Sequence, residues 1–370
     1  MKNVRIIISG GGTGGHIFPA ISIANAIKRK CPDAAILFVG AEKRMEMERV
    51  PAAGYEIVGL PVRGFNRSNL LSNFRTLFDL MKSMIKARNV VRRFKPDVAV
   101  GVGGYASGPL LRTAAAMGVP TLIQEQNSYA GITNKLLANK AAKICVAYAG
   151  MERFFPKEKI LLTGNPVRQD LLESLHLREE AIVHFGFDSA KRTILVMGGS
   201  LGARTLNESV MGALDTIEST EGVQVLWQTG RYYFASIIQQ LGDRQLRNIK
   251  VLEFLQQMNL AYAAADLIVS RAGASSISEC CLLQKALILV PSPNVAEDHQ
   301  TSNAMALVKE DAAVLIPDIE AKTRLIPEAL SLIQQPERLQ TLSRNITKLA
   351  QPDSDSRIAD EILRLIPQRS

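Results

Sequence analysis

Cysteine, histidine and aromatic residues are scarce in this chain. The four cysteines (Cys31, Cys145, Cys280 and Cys281) show no Cys-x-x-Cys spacing, which fits a reducing compartment better than a disulfide framework. With four histidines, no His-Glu-x-x-His and no cysteine cluster, the sequence argues against a protein-bound metal. Gly-x-Ser-x-Gly occurs once, as the glycine-rich turn Gly198-Gly199-Ser200-Leu201-Gly202, and no nucleophile elbow of a serine hydrolase is read from it. Gly-x-x-x-x-Gly-Lys-[Ser/Thr] is absent, which excludes nucleotide hydrolysis on a P-loop. No apolar run approaches the roughly 18–20 residues that span a bilayer. A strand-like run begins at Val4, so no signal peptide is expected. With 47% hydrophobic residues in 370, the chain has material for two packed domains and is too apolar for disorder.

Charge is unevenly spread. The net charge is +9, yet residues 1–165 carry 24 Lys and Arg against 10 Asp and Glu, and the remainder carries 20 against 25. The basic excess therefore lies wholly in the first half. That fits an anionic partner there (phosphate ligand, nucleic acid or anionic membrane) or a generically basic surface.

The stretch that organises the reading is Ser9-Gly10-Gly11-Gly12-Thr13-Gly14-Gly15-His16. It follows Val4–Ile8, a β-branched run, and precedes apolar residues at helical spacing from Ile17 to Lys30. Strand, glycine turn and helix point backbone N–H groups at an anion. A ligand-free tight turn is the plainer alternative, but five glycines and a histidine in seven positions exceed what a turn needs. His16, at a helix start, could hydrogen-bond a phosphate or take a proton from a hydroxyl. The dipole end is expected to keep it neutral.

Short apolar runs then alternate with helical patterns: 35–39, 56–60, 98–100, 121–124, 143–146 and 160–162 in the first half. In the second they are 193–197, 223–228, 249–252, 267–270, 286–290 and 313–316. Alternation of this kind predicts parallel α/β sheets covered on both faces, with ligands beyond the strands' C-terminal ends. The second half repeats the opening, since Gly198-Gly199-Ser200-Leu201-Gly202 follows a strand as Gly11-Gly12-Thr13-Gly14-Gly15 does. We expect two doubly wound domains, 1–165 and 166–351, divided near Gly164-Asn165-Pro166. A C-terminal helix at about 352–370 is expected to pack back on the first.

Other stretches carry candidate chemistry. Ser275, Ser276 and Glu279 open a helix after strand 267–270, where Glu279 could take both hydroxyls of a ribose; a Ser276-x-x-Glu279 capping box fits equally well. Gln300, Asn303 and His299, in and after a polar loop, suit sugar hydroxyls. Gly103-Gly104-Tyr105-Ala106-Ser107 and Glu125-Gln126-Asn127 follow strands at the same sheet end as His16, although Asn127 or Ser128 could simply cap a helix. Residues 63–95 hold nine Lys and Arg against Asp79. There Leu70, Phe74, Leu77, Phe78, Met81, Met84 and Ile85 form a helical stripe that either packs on the sheet or rests on anionic lipid. Asp353-Ser354-Asp355 reads as helix capping.

Seven motifs in order make the chain similar to one family: Gly-Gly-Thr-Gly-Gly-His-Ile-Phe-Pro-Ala (11–20), Gly-Gly-Tyr-Ala-Ser-Gly-Pro (103–109), Glu-Gln-Asn (125–127), Gly-Asn-Pro-Val-Arg (164–168), Gly-Gly-Ser-Leu-Gly-Ala (198–203), Arg-Ala-Gly-Ala-Ser-Ser-Ile-Ser-Glu (271–279) and His-Gln-Thr-Ser-Asn-Ala (299–304). It resembles the MurG family, the membrane-associated N-acetylglucosaminyltransferases of peptidoglycan synthesis in glycosyltransferase family 28. The resemblance implies the GT-B fold, two Rossmann-like domains facing across a cleft. It implies inverting transfer of N-acetylglucosamine from UDP-N-acetylglucosamine to the 4-hydroxyl of the muramoyl sugar of lipid I, giving lipid II and UDP. It implies no cofactor, no metal and no nucleic acid, and a peripheral location on the cytoplasmic face of the bacterial inner membrane.

By the same resemblance Thr13, Gly14, Gly15, Asn127, Arg168, Ser200, Leu255, Ala274, Ser275, Ser276, Ile277, Ser278, Glu279 and Gln300 bind the donor. Ser200 and Arg168 would hold its diphosphate, Glu279 the ribose, Gln300 and Asn127 the sugar, and the backbone at Leu255 the uracil. Gly104, Tyr105 and Ser107 would lie on the acceptor side, with His16 as base or acceptor-positioning group. Family members often have isoleucine at Leu255 and threonine at Ser276; both replacements keep the chemistry. Rival readings are a UDP-N-acetylglucosamine epimerase or hydrolase of the same fold and a dinucleotide oxidoreductase with Glu42 on a ribose. A catalytically silent lipid-binding protein is a third.

Overall fold

The computed structural model describes residues 4–62, 73–167, 170–295 and 298–367. These form two compact units, Met1–Val167 with Gln351–Ser370, and Arg168–Ala350.

The first unit is built on strands β1 (Arg5–Ser9), β2 (Ala35–Ala41), β3 (Glu56–Leu60), β4 (Val98–Gly101), β5 (Thr121–Glu125), β6 (Lys143–Val146) and β7 (Ile160–Leu162). They pair in the order β3-β2-β1-β4-β5-β6-β7, and every pairing is parallel. Because strand side chains alternate, each strand feeds two cores. Ile7, Val39, Ala99 and Ile123 belong to one, with Ala87 and Val91 from the helix Asn73–Phe94. Ile6, Ile8, Phe38 and Val100 belong to the other, with Ile23 and Ile27 from the helix Gly14–Lys30.

The C-terminal helix Ser354–Arg364 joins that second core through Ile358, Ala359 and Ile362. Asp355 does not act as a simple cap. It is buried, accepts a 2.6 Å ion pair from Arg29 and takes the N–H of Ser356 at 2.8 Å. Lys30 pairs with Asp360 at 2.9 Å, and Arg357 donates to the carbonyl of Leu162. Basic residues ending one helix thus meet acids on the last one.

The second unit repeats the plan with β8 (Arg192–Met197), β9 (Val223–Gln228), β10 (Ile249–Leu252), β11 (Leu267–Ser270), β12 (Ala286–Leu289) and β13 (Val314–Leu315). Their order is β10-β9-β8-β11-β12-β13, again all parallel. In both sheets strand order reverses beside the first strand, between β1 and β4 and between β8 and β11. A crevice opens there at the strands' C-terminal ends, where open α/β sheets take their ligands.

Candidate functional site

In the second unit the reversal point holds a cavity of about 670 Å³. Its lining comes from the loops that sequence reading singled out: Gly198, Gly199 and Gly202 after β8, Arg271, Gly273 and Ser276 after β11, and Ser292, Asn294 and Gln300 after β12. Backbone crowding dictates Gly198 and Gly202, and a left-handed φ of +84° favours glycine at Gly199. Gly202 has φ +87°, and a Cβ there would strike the Thr229 carbonyl and lie 2.9 Å from Tyr233. Gln228 donates from Nε2 to the carbonyl of Gly199 at 3.0 Å, fixing the loop from below.

The helix Ala274–Leu282 begins at this cavity with Gly273 as N-cap, and no side chain caps it. The Ser276–Glu279 capping box is therefore not formed, because Ser276 already lies inside the first turn. Ser276 lines the cavity, and Ser275 Oγ is buried with no hydrogen-bond partner among the described residues. Ile277 points into the protein interior, so only its backbone can serve a ligand, and Ser278 bonds back to the Ala274 carbonyl at 3.0 Å. Tyr262 donates its hydroxyl to Glu279 at 2.6 Å, orienting the half-buried carboxylate. Leu255 is buried at 4% exposure, which leaves its main chain as the part a base could meet. Gln300 accepts the Ser292 N–H at 2.9 Å. Ser200 is exposed on the β8 loop. Asn303, read as suiting sugar hydroxyls, is instead fully buried and donates to the Ala272 carbonyl at 3.2 Å; it braces the loop. Arg168 lies outside the described residues.

Two cavity residues escape sequence reasoning, Arg271 in its role and Asp318 altogether. They form an ion pair. Arg271 also donates to the carbonyls of Val290 and Pro291 at 3.1 and 3.2 Å, while Asp318 accepts the Thr205 hydroxyl at 3.0 Å. The pair ties the loops after β8, β11 and β12 together. Its only signal in sequence is Pro317-Asp318, a helix start with acid in the first turn.

In the first unit the loops after β1 and β4 interlock. Gly103 and Gly104 have φ +104° and +88°. A Cβ on Gly103 would lie 2.5 Å from the His16 ring, and one on Gly104 would strike the Gly11 carbonyl. The helix begins at Gly14 rather than after His16, with Thr13 as N-cap, so Gly14 and Gly15 are its first residues. His16 Nδ1 lies 3.0 Å from the Gly11 carbonyl and 3.3 Å from Thr13 Oγ1. Ser107 is fully buried, donating toward the carbonyls of Ser9 and Gly103, a brace between β1 and the β4 loop. Tyr105 is half exposed at 51%. Neither Asn127 nor Ser128 caps a helix, since the next helix is Ile132–Leu137 with Gly131 as N-cap. Asn127 instead leans on Glu125 through its N–H at 3.1 Å. Glu125 also takes Gly131 and Asn134.

Glu42, the ribose ligand of the dinucleotide reading, is paired with Lys86 at 2.7 Å. On the helix Asn73–Phe94 the predicted stripe divides. Met84 turns inward and receives the Thr113 hydroxyl, whereas Phe78, Met81 and Ile85 are exposed beside Lys82 and Lys86. Leu70 lies outside the described residues.

The glycosyltransferase family 28 N-terminal domain matches residues 6–146, and the C-terminal domain of the same family matches residues 193–358. The chain belongs to glycosyltransferase family 28. A Parabacteroides distasonis protein named UDP-N-acetylglucosamine--N-acetylmuramyl-(pentapeptide) pyrophosphoryl-undecaprenol N-acetylglucosamine transferase is 62% identical over 369 residues, 100% of both chains. A Porphyromonas gingivalis protein of the same name is 55% identical over 98% of this chain and 96% of its own. Among solved structures, Acinetobacter baumannii MurG superposes with a TM-score of 0.78 at 27% identity, over 98% of this chain and 99% of that one. A Neisseria meningitidis UDP-GlcNAc 2-epimerase reaches 0.70 at 14% identity over 98% and 100%, a likeness of fold alone. As a family 28 member the chain is a glycosyltransferase with the two Rossmann-like domains of the GT-B class.

Proposed function

We propose that this chain moves N-acetylglucosamine from UDP-N-acetylglucosamine to the 4-hydroxyl of the muramoyl sugar of lipid I, releasing lipid II and UDP with inversion. The observation that carries the reading is the agreement of full-length relatives bearing that activity's name with a cavity at the reversal point of the second sheet. The epimerase reading is not favoured, because its support is fold likeness at 14% identity.

The division of roles follows the chemistry of each unit. In the second unit Ser200, the serines at 275 and 276 and the start of the Ala274–Leu282 helix suit a diphosphate, with Arg168 joining them. A helix N-terminus and backbone amides stabilise charge that develops on departing UDP. Glu279 suits a ribose diol, Gln300 the sugar, and the main chain at Leu255 the uracil. In the first unit Thr13, Gly14, Gly15 and Asn127 suit the donor and Gly104 and Tyr105 the acceptor, with His16 as base or positioning group, while the buried Ser107 holds the acceptor-side loop in place. The exposed patch of Phe78, Met81 and Ile85 among lysines suits an anionic membrane surface at the cytoplasmic face of the inner membrane. Among the described residues no helix is long and apolar enough to cross a membrane.

Labelled UDP-N-acetylglucosamine, with and without a lipid I analogue, tests the reading. Acceptor-dependent UDP release is expected. Release without acceptor makes the chain a hydrolase, and a 2-epimer among the products makes it an epimerase. Turnover unchanged in His16→Ala removes the base role.

A further inference from the structure

Glu46 lies in none of the motifs above, yet it is 0% exposed and sits against the opening glycine loop. Its Oε1 accepts the N–H of Ala41, at the end of β2, at 2.9 Å. Its Oε2 accepts the N–H of Gly12 at 3.0 Å. The room for this carboxylate is made by glycine. A Cβ on Gly11 would collide with Oε1, and one on Gly40 would lie 2.5 Å from Cγ.

The N–H of Gly12 and the C=O of Gly11 belong to the same peptide group. That carbonyl faces Nδ1 of His16 at 3.0 Å. A carbonyl can only accept, so the contact requires the hydrogen on Nδ1. In the neutral ring Nε2 then carries the lone pair. The arrangement is carboxylate, peptide, imidazole in series. A carboxylate that accepts a peptide N–H shifts electron density toward that peptide's oxygen and strengthens it as an acceptor. It also stops the glycine peptide from flipping, which two adjacent glycines would otherwise permit.

We infer that Glu46 is a positioning residue for the transfer reaction: through the Gly11–Gly12 peptide it fixes the Nδ1–H tautomer of His16 and leaves Nε2 as the proton acceptor. The logic is that of an acid–imidazole pair in a hydrolase triad with one peptide group interposed. In the step it serves, the acceptor 4-hydroxyl forms its bond to the anomeric carbon as the bond to UDP breaks, and the hydroxyl proton passes to Nε2. The inference rests on the reading of His16 given under the proposed function. It also assigns the Gly12 amide to an internal anion, the site where a dinucleotide-binding loop would hold its ligand's pyrophosphate.

Imidazole 15N shifts in histidine-labelled full-length protein, with the His16 signals assigned by His16→Asn, read the tautomer directly in the unmutated chain. A protonated Nδ1 and an unprotonated Nε2 are expected. A neutral His16 protonated on Nε2 overturns the proposal without recourse to any Glu46 variant. Glu46→Gln keeps the shape but offers one acceptor oxygen to two N–H groups. It should lower kcat about tenfold or more, raise the Nε2–H fraction of His16 and leave UDP affinity within about twofold. Wild-type kcat in a folded Glu46→Gln protein overturns the proposal. In His16→Asn, adding Glu46→Gln should cost no further activity; a second full loss there means that Glu46 acts elsewhere, and overturns it too. Undiminished turnover in His16→Asn overturns the proposal by removing the base role, and the tautomer read in the unmutated chain then separates that failure from a failure of the Glu46–His16 coupling itself.

Discussion

The two units are built to one plan and differ in what stands across from their first glycine loop. Each begins its sheet with a central strand followed by Gly-Gly-[Thr/Ser]-x-Gly, and the second glycine of each string is left-handed at the same angle, φ +85° at Gly12 and +84° at Gly199. After that they part. In the first unit the helix starts within two residues, and a buried carboxylate, Glu46, accepts the Gly12 amide. In the second the chain makes a further left-handed turn at Gly202 before its helix begins at Arg204, and the loop lines an open cavity. The nearby acid, Asp318, is paired with Arg271. A glycine string thus specifies a conformation, and the residues facing it decide whether its amides are used inside the protein or offered to a ligand.

Alanine substitutions separate the two loops. Gly202→Ala combines left-handed strain with a Cβ driven against the Thr229 carbonyl, and should cost about 3–5 kcal/mol in denaturant unfolding. Gly12→Ala meets open space and should cost only the conformational strain, about 1–2 kcal/mol. Equal losses would show that the close approach at Gly202 is not maintained in solution.

The strands were legible in sequence because each is a short β-branched run ended by glycine or a polar turn, and repetition of that punctuation announces a doubly wound sheet. The loops were legible because glycine has few other reasons to cluster after a strand. Glu46 was not, since Arg44-Met45-Glu46-Met47-Glu48-Arg49 has the charge pattern of a solvated helix, and only the fold brings it to a loop more than 30 residues earlier. Arg271–Asp318 and Arg29–Asp355 were hidden for the same reason: their partners lie far apart in the chain. Ser107 and Asn303 misled in the opposite direction, because hydroxyls and amides suit both ligands and backbone braces, and burial alone separates the two uses.

Charge also distinguishes the units, and the exposed apolar side chains Phe78, Met81 and Ile85 sit in the basic one. Lys82 lies 4.4 Å over the Phe78 ring, so cation and apolar surface are presented together. Replacing all three apolar residues with serine should weaken binding to vesicles rich in anionic lipid about tenfold or more, from the loss of roughly 1 kcal/mol or more of apolar burial per side chain. Transfer to a short-chain, water-soluble acceptor should be unchanged. Equal vesicle binding by the variant would return the patch to the status of ordinary surface and leave the basic excess of the first unit without a membrane role.

The second unit contains a lysine whose charge its surroundings oppose. Lys285 donates to the Ala265 carbonyl at 2.8 Å. Burial first, then the neighbouring Arg178, lowers its pKa to about 8, against a partial pull upward from Asp266. An unfolded lysine keeps its proton to about pH 10.4. Between those values the unfolded chain holds more protons than the folded one, so this group makes stability rise with pH across the window; below about pH 8 its full cost is present. Lys285→Met should therefore be the more stable protein at pH 7 by about 1 kcal/mol or more. That advantage should fade as pH approaches 10. The buried thiols of Cys145, Cys280 and Cys281, all pushed upward by burial, act in the opposite sense in alkali, because the folded state keeps protons that the unfolded state releases. Cys145 and Cys281 are common to both proteins and cancel in the difference, whereas Cys280 feels the Lys285 charge and keeps a small coupling to it that is lost with the lysine's proton. Denaturant midpoints compared at pH 7, 8.5 and 10 would show the gap closing; a gap that stays constant would mean that Lys285 is as well solvated in the folded unit as in the unfolded chain.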